Sequence, residues 1–261
     1  MPSTALAVAP PRLWHFRVSH YNEKVRWALD FKQLPHRRIA LVPGLHIPRM
    51  RWMTGQNKLP AIELDGRLMI GSAAIVAELE RRHPDPPLFP RDDAERTRAV
   101  ALQTYFDDEA APELRQLFWS CYLGRPSECV RVVTDGFGFG TRLLVRAMFP
   151  LLKLGFSRNM GMDAAQIEHA SKRLHEHVGR LEAEIGRSGY LVGDRFGVAD
   201  LTAASIMSAV IRPPEFSYPL PEPMSPELLA LRESIATREG YRWVREIYRA
   251  HRGSSSCVDG R

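Results

Sequence analysis

A serine at a strand-to-helix turn is the first feature of this sequence that indicates chemistry. Ser19 follows a short apolar run, Leu13–Phe16, and precedes a segment in which Val25, Ala28 and Leu29 share one helical stripe. The first N–H groups of a helix have no internal partner, and with the positive end of the helix dipole they favour an anion. We therefore interpret this turn as a site that holds a thiolate.

The chemistry that such a turn supports is stabilisation of a sulfur anion. A free thiol has a pKa of about 8.5, so only a small fraction is nucleophilic thiolate at neutral pH. A hydroxyl from Ser19 and the helix N–H groups are expected to lower this pKa by about one to two units, roughly 1.4 to 2.7 kcal/mol. Ser19 would then be a hydrogen-bond donor and not the nucleophile. Two alternatives stay open: Ser19 merely caps the helix, or His20 or Tyr21 takes its role.

The cysteines and histidines of the chain indicate neither a disulfide framework nor a metal site. Cys121, Cys129 and Cys257 are odd in number, form no CxxC pair, and leave the strand-to-helix turn without a redox thiol. This pattern predicts a reducing compartment, and we expect a cytoplasmic location. The histidines form no HExxH pattern, so we expect no metal.

Charge and hydropathy argue against two classes of large partner. The net charge of +6 is spread among many acidic residues, which favours small anionic ligands in general and not nucleic acid. No run approaches the ~20 apolar residues of a membrane span, and membrane contact is not expected. Residues Met1–Pro11 lack the positive start of a secretory signal, so we predict a flexible arm there.

The elements that must position Ser19 alternate between strand and helix. The predicted strands and helices, in chain order, are Leu13–Arg17, Asn22–Gln33 (helix), Arg38–Val42, Ala61–Leu64, Arg67–Ile70 and Ala73–Arg82 (helix). Asp65-Gly66 is a strong hairpin signal, and Ser72 is expected to cap the helix that follows it. An order of β-α-β, an irregular link and then β-β-α is typical of a thioredoxin-like α/β layer.

A proline-rich break at His83–Pro90 predicts a domain boundary, and helical patterns dominate beyond it. The predicted helices are Ala94–Trp119 with a kink at Pro112, Thr141–Leu154, Asp163–Ile185, Val198–Ile211, Pro226–Ala236 and Tyr241–His251. The predicted domain organisation is a flexible arm (1–11), a thioredoxin-like domain (12–83), a linker (84–93), an all-helical domain (94–252) and a disordered polar tail (253–261).

This organisation resembles the cytosolic glutathione S-transferase superfamily over nearly the whole chain. Four signatures carry the resemblance: Ser19–Arg26, Lys58–Ile62, Gly71–Ser72 and Gly193–Leu201. The first is similar to the serine-type opening of theta- and zeta-like bacterial members, and the last looks like the capping motif of a central helix in the second domain. The resemblance implies the two-domain glutathione S-transferase fold.

The resemblance also implies which residues bind glutathione. Leu59 would pair through its backbone with the cysteinyl part of the peptide, because a cis bond to Pro60 exposes that backbone at a strand end. Lys58 lies beside it, where its charge favours a carboxylate. Ser72 would bind the γ-glutamyl carboxylate at a helix start. Gly71 stands where the family has Glu or Gln, so the usual local partner for the ligand's ammonium is missing.

Asp200 is predicted to have a structural role in the same resemblance. In the family a Ser or Thr caps the central helix, and an Asp three residues later reaches back to the cap. The cap position here is Gly197, which has no side-chain acceptor. Asp200 is still expected to accept a hydrogen bond from the Gly197 N–H, so half of this capping box should survive.

The function implied is that of a glutathione transferase involved in detoxification. It would activate the thiol of glutathione, its co-substrate, for attack on a small hydrophobic electrophile held by the helical half, in a homodimer. One alternative is a binding or regulatory protein without catalysis, which Gly71 and the long segment Pro126–Phe156 favour, since extra helices in that segment could bind a partner or a membrane surface. Another is a glutathione-dependent isomerase or dehalogenase. The electrophile is not readable from the sequence.

Overall fold

The computed structural model describes residues 9–259, apart from the side chain of Asn159. The first half contains a sheet and three helices: the predicted strands and two predicted helices follow in the predicted order, and α2 lies in the link that was predicted to be irregular. Its elements are β1 (Arg12–His15), α1 (His20–Phe31), β2 (Arg37–Ala40), α2 (Ile47–Thr54), β3 (Ala61–Leu64), β4 (Arg67–Ile70) and α3 (Ser72–Arg82). The thioredoxin-like prediction is confirmed, including the β3–β4 hairpin.

The sheet has the strand order β2-β1-β3-β4. Strand β1 is parallel to β2 and antiparallel to β3, and β3 is antiparallel to β4. Trp14 lies opposite Ala61, which lies opposite Ile70. The end of β1, the start of β3 and the end of β4 therefore meet at one edge of the sheet, and so do the loops that follow or precede them.

The second half is helical throughout, as predicted. Its elements are α4 (Asp93–Tyr105), a π-helical turn (Phe106–Ala110), α5 (Ala111–Leu123), α6 (Pro126–Val133), α7 (Phe139–Met160), α8 (Ala164–Glu184), α9 (Val198–Ile211), α10 (Pro226–Ile235) and α11 (Glu239–His251). The predicted kink at Pro112 is replaced by the π-helical turn. Pro112 itself lies in the first turn of α5, where its missing N–H has no intrahelical partner to lose.

One hydrophobic core runs through both halves of the molecule. Helix α9 is buried along its whole length and packs against α1, α4, α5 and α11. Apolar residues of the sheet and of α1, such as Leu13 and Val25, belong to the same cluster as Leu201 and Met207 of α9. The thioredoxin-like half is thus not a separate globule, because part of its core is supplied by the helical half.

Helix α1 is buried on nearly all sides, although its pattern predicted that the charged residues lie off the apolar stripe. Glu23, Lys24 and Arg26 are fully buried, and Asp30 is nearly so. Their partners come from distant segments: Lys24 Nζ, for example, donates to Asp107 Oδ2 of the π-helical turn at 2.5 Å. The charges of α1 therefore join it to the rest of the fold and do not face solvent.

Residues 253–259 are not a disordered tail, contrary to the prediction. Arg252 donates to Glu23 Oε1 at 2.7 Å and to Asp30 Oδ2 at 2.9 Å. The chain then runs beside His36, where Ser256 N donates to Asp30 Oδ1 at 2.8 Å and Val258 N donates to the His36 carbonyl at 2.9 Å. The buried carboxylates of α1 hold this segment. Gly260, Arg261 and residues 1–8 of the predicted arm lie outside the described residues.

Candidate active site

Ser19 is the N-cap of α1, at the turn that the sequence singled out. Its backbone is extended, with φ −82° and ψ 129°, and its Oγ accepts a hydrogen bond from Asn22 N at 3.4 Å. Its carbonyl accepts the first helical hydrogen bond, from Glu23 N at 2.9 Å. A hydroxyl that accepts a cap bond still has its own proton to donate. Capping and thiolate stabilisation are therefore compatible roles for this side chain, which is half-buried.

A buried arginine holds the turn in place. Arg26 donates from Nη1 to the Phe16 carbonyl at 3.0 Å and from Nη2 to the Arg17 carbonyl at 3.2 Å. Its Nε donates to Glu23 Oε2 at 2.9 Å. Sequence reasoning missed this role, because a charged residue off the apolar stripe of a helix reads as solvent-exposed. No local signal distinguishes it from an ordinary surface arginine.

The two other predicted binding segments meet the turn at the same end of the sheet. The Leu59–Pro60 bond is cis, as predicted, and the Pro60 carbonyl accepts a hydrogen bond from Gly71 N at 3.1 Å. Pro60 and Ser72 are buried, Leu59 and Gly71 are half-buried, and Lys58 is exposed. The predicted residues thus surround one edge of the sheet, at the ends of β1 and β4 and the start of β3.

The cap of α3 differs from the prediction. Gly71 is the N-cap, and Ser72 is the first helical residue. Gly71 has φ +95°, a backbone conformation that favours glycine, while a Cβ there would meet nothing within 4 Å. Backbone conformation and not crowding therefore explains the glycine. As the first helical residue, Ser72 presents an N–H that has no intrahelical acceptor, so the geometry of this helix start still favours an anion.

The charges around the start of α1 favour an anion. Burial, and then the guanidinium groups of Arg115 and Arg212, lower the pKa of His20 to about 3, so His20 is neutral. Within the described chain, Arg115 Nε and Arg212 Nη1 are buried atoms without a hydrogen-bond partner. Buried guanidinium nitrogens that lack an acceptor suit a negatively charged ligand.

The three candidate donors differ in how far their protons are already engaged. The Tyr21 hydroxyl donates to the Asp107 carbonyl at 2.8 Å, so its proton is already engaged. Burial is the main cause that raises the pKa of Tyr21 to about 12. The ring of His20 is neutral and 5% exposed, and packs against the Tyr21 ring with 4.5 Å between centroids. The Tyr21 proton is thus engaged, whereas His20 Nε2 has no hydrogen-bond partner among the described protein atoms, so His20 stays an alternative to Ser19.

Asn22 is a second residue of this region that the sequence analysis missed. Its side chain is fully buried, and its Oδ1 and Nδ2 have no hydrogen-bond partner among the described protein atoms. Buried amides are nearly always paired, with protein or with ordered water. The side chain therefore has hydrogen-bonding capacity to offer beneath the turn.

Asp200 occupies the structural position that was predicted for it. Its Oδ2 accepts from Gly197 N at 2.9 Å, and its Oδ1 accepts from Leu191 N at 2.8 Å. A Cβ on Gly197 would lie 3.0 Å from the Leu88 carbonyl oxygen. The absence of a Ser or Thr cap thus follows from the close approach of the linker. Burial raises the pKa of Asp200 to about 7.

The remaining chemical groups contribute little to this site. Burial raises the pKa of both Cys121 and Cys129 to about 12, so neither thiol is nucleophilic. Among residues 9–259 no group of three or more His, Cys, Asp or Glu side chains could hold a metal ion. Nor does any helix in the described part have the length and hydropathy to cross a bilayer.

Family models match both halves of the chain. Residues 13–87 match the glutathione S-transferase N-terminal domain, and residues 115–239 match the glutathione S-transferase C-terminal domain. The chain belongs to the glutathione S-transferase superfamily. Both matches include the segments on which the resemblance was based, since the first spans Ser19 to Ser72 and the second spans Asp200.

Similar proteins differ in what their names say they do. FtsZ-localized protein A of Caulobacter vibrioides is 24% identical over 203 residues, which is 76% of each chain. Maleylpyruvate isomerase of Ralstonia sp is 31% identical over 94 residues, covering 35% of this chain and 44% of that protein. The theta class glutathione S-transferase of Xanthomonas axonopodis pv. citri, solved with glutathione bound, covers 90% of this chain and 96% of its own, with 21% identity and a TM-score of 0.56.

Proposed function

We propose that this protein is a glutathione-dependent enzyme that activates the thiol of the tripeptide at the start of α1. The cysteinyl part would lie along the Leu59 backbone, and the γ-glutamyl carboxylate would lie at the start of α3 near Ser72. Lys58 and Gly71 would border the same ligand. The observation that carries the proposal is the Ser19 hydroxyl, placed at a helix N-terminus on the sheet edge that also holds cis-Pro60 and Ser72.

The proposed reaction begins with the sulfur as a thiolate, its charge stabilised by the Ser19 O–H and by N–H groups of α1. An electron pair of the sulfur then forms a bond to an electrophilic carbon of a small hydrophobic substrate. In the conjugation reaction, the bond from this carbon to a leaving group breaks, and the leaving group departs with that bond's electron pair. In isomerisation, the sulfur adds to a double bond and is expelled again after rotation. Preorganised donors aimed at the reacting atom are a large source of rate enhancement in enzymes.

The apolar cluster between the helical half and the turn is where we place the electrophile. Val18 and Val42 of the first half pack in one cluster with Phe118, Trp119 and Phe149 of the second. These helical residues are buried, so the cluster is mainly core, and a substrate would bind at its rim beside Ser19. The isomerase names of some relatives make an unsaturated acid one substrate class to test. We further propose a cytoplasmic homodimer.

A second candidate is a binding protein of the same fold without catalysis. Gly71 favours it, because no side chain at this position can pair with the ammonium of the γ-glutamyl group. The match to FtsZ-localized protein A, which extends over most of both chains, favours it also. On this alternative, glutathione would bind only at millimolar concentration or not at all.

Calorimetry and kinetics with a matched pair of variants test the proposal. Titration with glutathione should give saturable binding below millimolar concentration, and an activated aromatic halide should be conjugated. Ser19→Ala should lower turnover by about 10- to 100-fold, roughly 1.4 to 2.7 kcal/mol, and should move the pH–rate profile to higher pH. Ser225→Ala is the control, because Ser225 also caps a helix, accepting from Leu228 N at 3.2 Å.

The control separates loss of a helix cap from loss of thiolate stabilisation. Both variants should lose a comparable amount of stability, about 1 kcal/mol, but only Ser19→Ala should lose turnover. Equal turnover in the Ser19 variant and the wild type would remove Ser19 from the mechanism. Absence of glutathione binding to the wild-type protein would reject the enzyme and favour the binding protein.

A further inference from the structure

Helix α7 presents an apolar face to solvent. Phe139 is 79% exposed, Leu151 is 66% exposed and Leu143 is 57% exposed, and Leu144 and Leu154 are also largely exposed. These five are a majority of the exposed large hydrophobic side chains in the described part of the chain. Contiguous exposed apolar surface on this scale marks a docking site more often than scattered single residues do.

The exposed residues lie together on the helix. At 3.6 residues per turn, Phe139, Leu143, Leu154 and Leu151 fall within an arc of about 120°. Val145 and Phe149 point the opposite way and are buried against α5 and α6 in the core of the second half. Helix α7 is therefore apolar on two opposite faces, of which the described residues 9–259 cover only one.

The charges of this helix have one sign. Arg142, Arg146 and Lys153 are exposed and follow one another along a single flank of the apolar arc. Between Asp135 and Asp163 the sequence contains no acidic residue. An apolar face with a cationic flank is the pattern of a helix that lies in the interface of an anionic bilayer.

A second copy of the chain fits this face less well. A two-fold contact between two α7 helices would bring the cations of both copies together, without an acidic residue on the helix to pair them. A protein partner of defined sequence would also be expected to meet polar side chains within the arc, to fix its orientation. Between Phe139 and Leu154 the arc contains leucines, a phenylalanine, Gly140, Ala147 and Pro150, which suit a fluid apolar phase, and the exposed Arg158 adds a further cation at its C-terminal end.

We propose that the exposed face of α7 binds the surface of an anionic lipid bilayer. The leucines and Phe139 enter the acyl boundary, and Arg142, Arg146 and Lys153 lie among the headgroups. The protein is attached at the interface and does not cross it, in keeping with the length and composition of its described helices. This inference replaces the expectation from the sequence that the protein makes no membrane contact, and it is independent of glutathione binding.

Vesicle sedimentation with the full-length protein tests this inference. Vesicles of phosphatidylcholine with phosphatidylglycerol should bind the protein, vesicles of phosphatidylcholine alone should bind it at least about tenfold more weakly, and high salt should release it. Leu143→Ser with Leu151→Ser, and separately Arg142→Gln with Arg146→Gln and Lys153→Gln, should each weaken binding by at least about tenfold.

Matched controls lie on other helices of the same half. Leu229→Ser alters an exposed leucine of α10, and Arg245→Gln with Arg249→Gln alters exposed arginines of α11. The controls should leave vesicle binding unchanged, and thermal unfolding should confirm that every variant is folded. No vesicle binding by the wild type, or binding that the α7 variants do not weaken, would overturn the inference. A wild-type dimer that Leu143→Ser with Leu151→Ser dissociates would also overturn it, in favour of a second copy.

Discussion

Helices α1 and α7 place their side chains in opposite ways. Helix α1 buries four charged residues, and among them Glu23, Lys24 and Arg26 have no exposed surface. Helix α7 leaves Phe139 and Leu151 mostly exposed. The first lies between the sheet and the helical half and is covered by residues 252–258, whereas one face of the second lies at the edge of the molecule. Helical periodicity tells where apolar residues fall, but packing of distant segments decides which face is covered.

The largest effect is expected where the charges of α1 meet Arg252. Arg252→Ala leaves Glu23 and Asp30 without their shared cation in a buried position, and breaking a buried pair in this way typically costs about 3 to 5 kcal/mol. Arg249→Ala, at an exposed position one turn earlier, should stay within about 0.5 kcal/mol of the wild type. Urea unfolding measures both. Similar values for the two variants would show that α1 does not depend on the network.

The two faces of α7 provide a comparison within one helix. Phe149 is 8% exposed and packs in the core, whereas Phe139 is 79% exposed. Phe149→Ala should lower the free energy of unfolding by about 3 to 5 kcal/mol, and Phe139→Ala should change it by less than about 0.5 kcal/mol. Thermal unfolding followed by calorimetry measures the change in unfolding free energy for both variants. A large loss of unfolding free energy in Phe139→Ala would mean that the apolar face of α7 that contains Phe139 is covered in solution.

Two buried carboxylates should respond to pH with opposite signs. Burial raises the pKa of Glu23, but Arg252 and Arg26 outweigh burial and hold it well below its ordinary value. The stabilisation from Glu23 is therefore present above its unfolded pKa of about 4.3 and is lost as pH falls. For Asp200, burial outweighs the backbone hydrogen bonds from Leu191 and Gly197 and raises the pKa to about 7. Its contribution is greatest below its unfolded pKa of about 3.9 and is lost as pH rises towards 7.

Asp200→Ala should lower stability by about 1 kcal/mol or more, because Gly197 and Leu191 lose their shared acceptor. Asp200→Asn cannot lose a proton at this position, so the variant should become more stable relative to the wild type as pH rises from 5 to 8. Glu23→Gln should show the reverse trend below pH 5. Urea unfolding measured both below pH 5 and between pH 5 and pH 8 tests the sign of each effect. If the difference in unfolding free energy between Asp200→Asn and the wild type did not change with pH, the raised pKa of Asp200 would be contradicted.

The sequence was most informative where local chemistry decides the structure. The hairpin at Asp65-Gly66 and the helix Val198–Ile211 were predicted from neighbouring residues, and the cis bond before Pro60 was implied by the family resemblance. The cap at Gly71 was misplaced by one residue, since a positive φ is not visible in the pattern. Arg26 was missed because its acceptors are backbone carbonyls of a preceding turn, which no periodicity reports.

The largest errors concern contacts across long separations. The segment 253–259 is polar and rich in serine, so its composition predicts disorder, yet Asp30 and His36 bind its backbone. The exposed face of α7 was equally unreadable. Its leucines look like core positions in the sequence, and only the packing of the helix shows that four of the five are largely exposed. The proposed roles of Ser19, Leu59 and Ser72 stay predictions until glutathione is tested.

The position of Arg252 bears on how the chain acquires its structure during synthesis. The first half leaves the ribosome long before residue 252, and until then Glu23 and Asp30 have no arginine from the other end. In a fragment ending near the linker, Glu23 would keep Arg26 and Asp30 would keep Arg38, but both acids would lack Arg252, and α1 would lack the helical half that covers it. The family's two domains are therefore not two independent folding units here. The earliest helix to be made therefore gains its last ion pairs only when one of the latest segments has arrived.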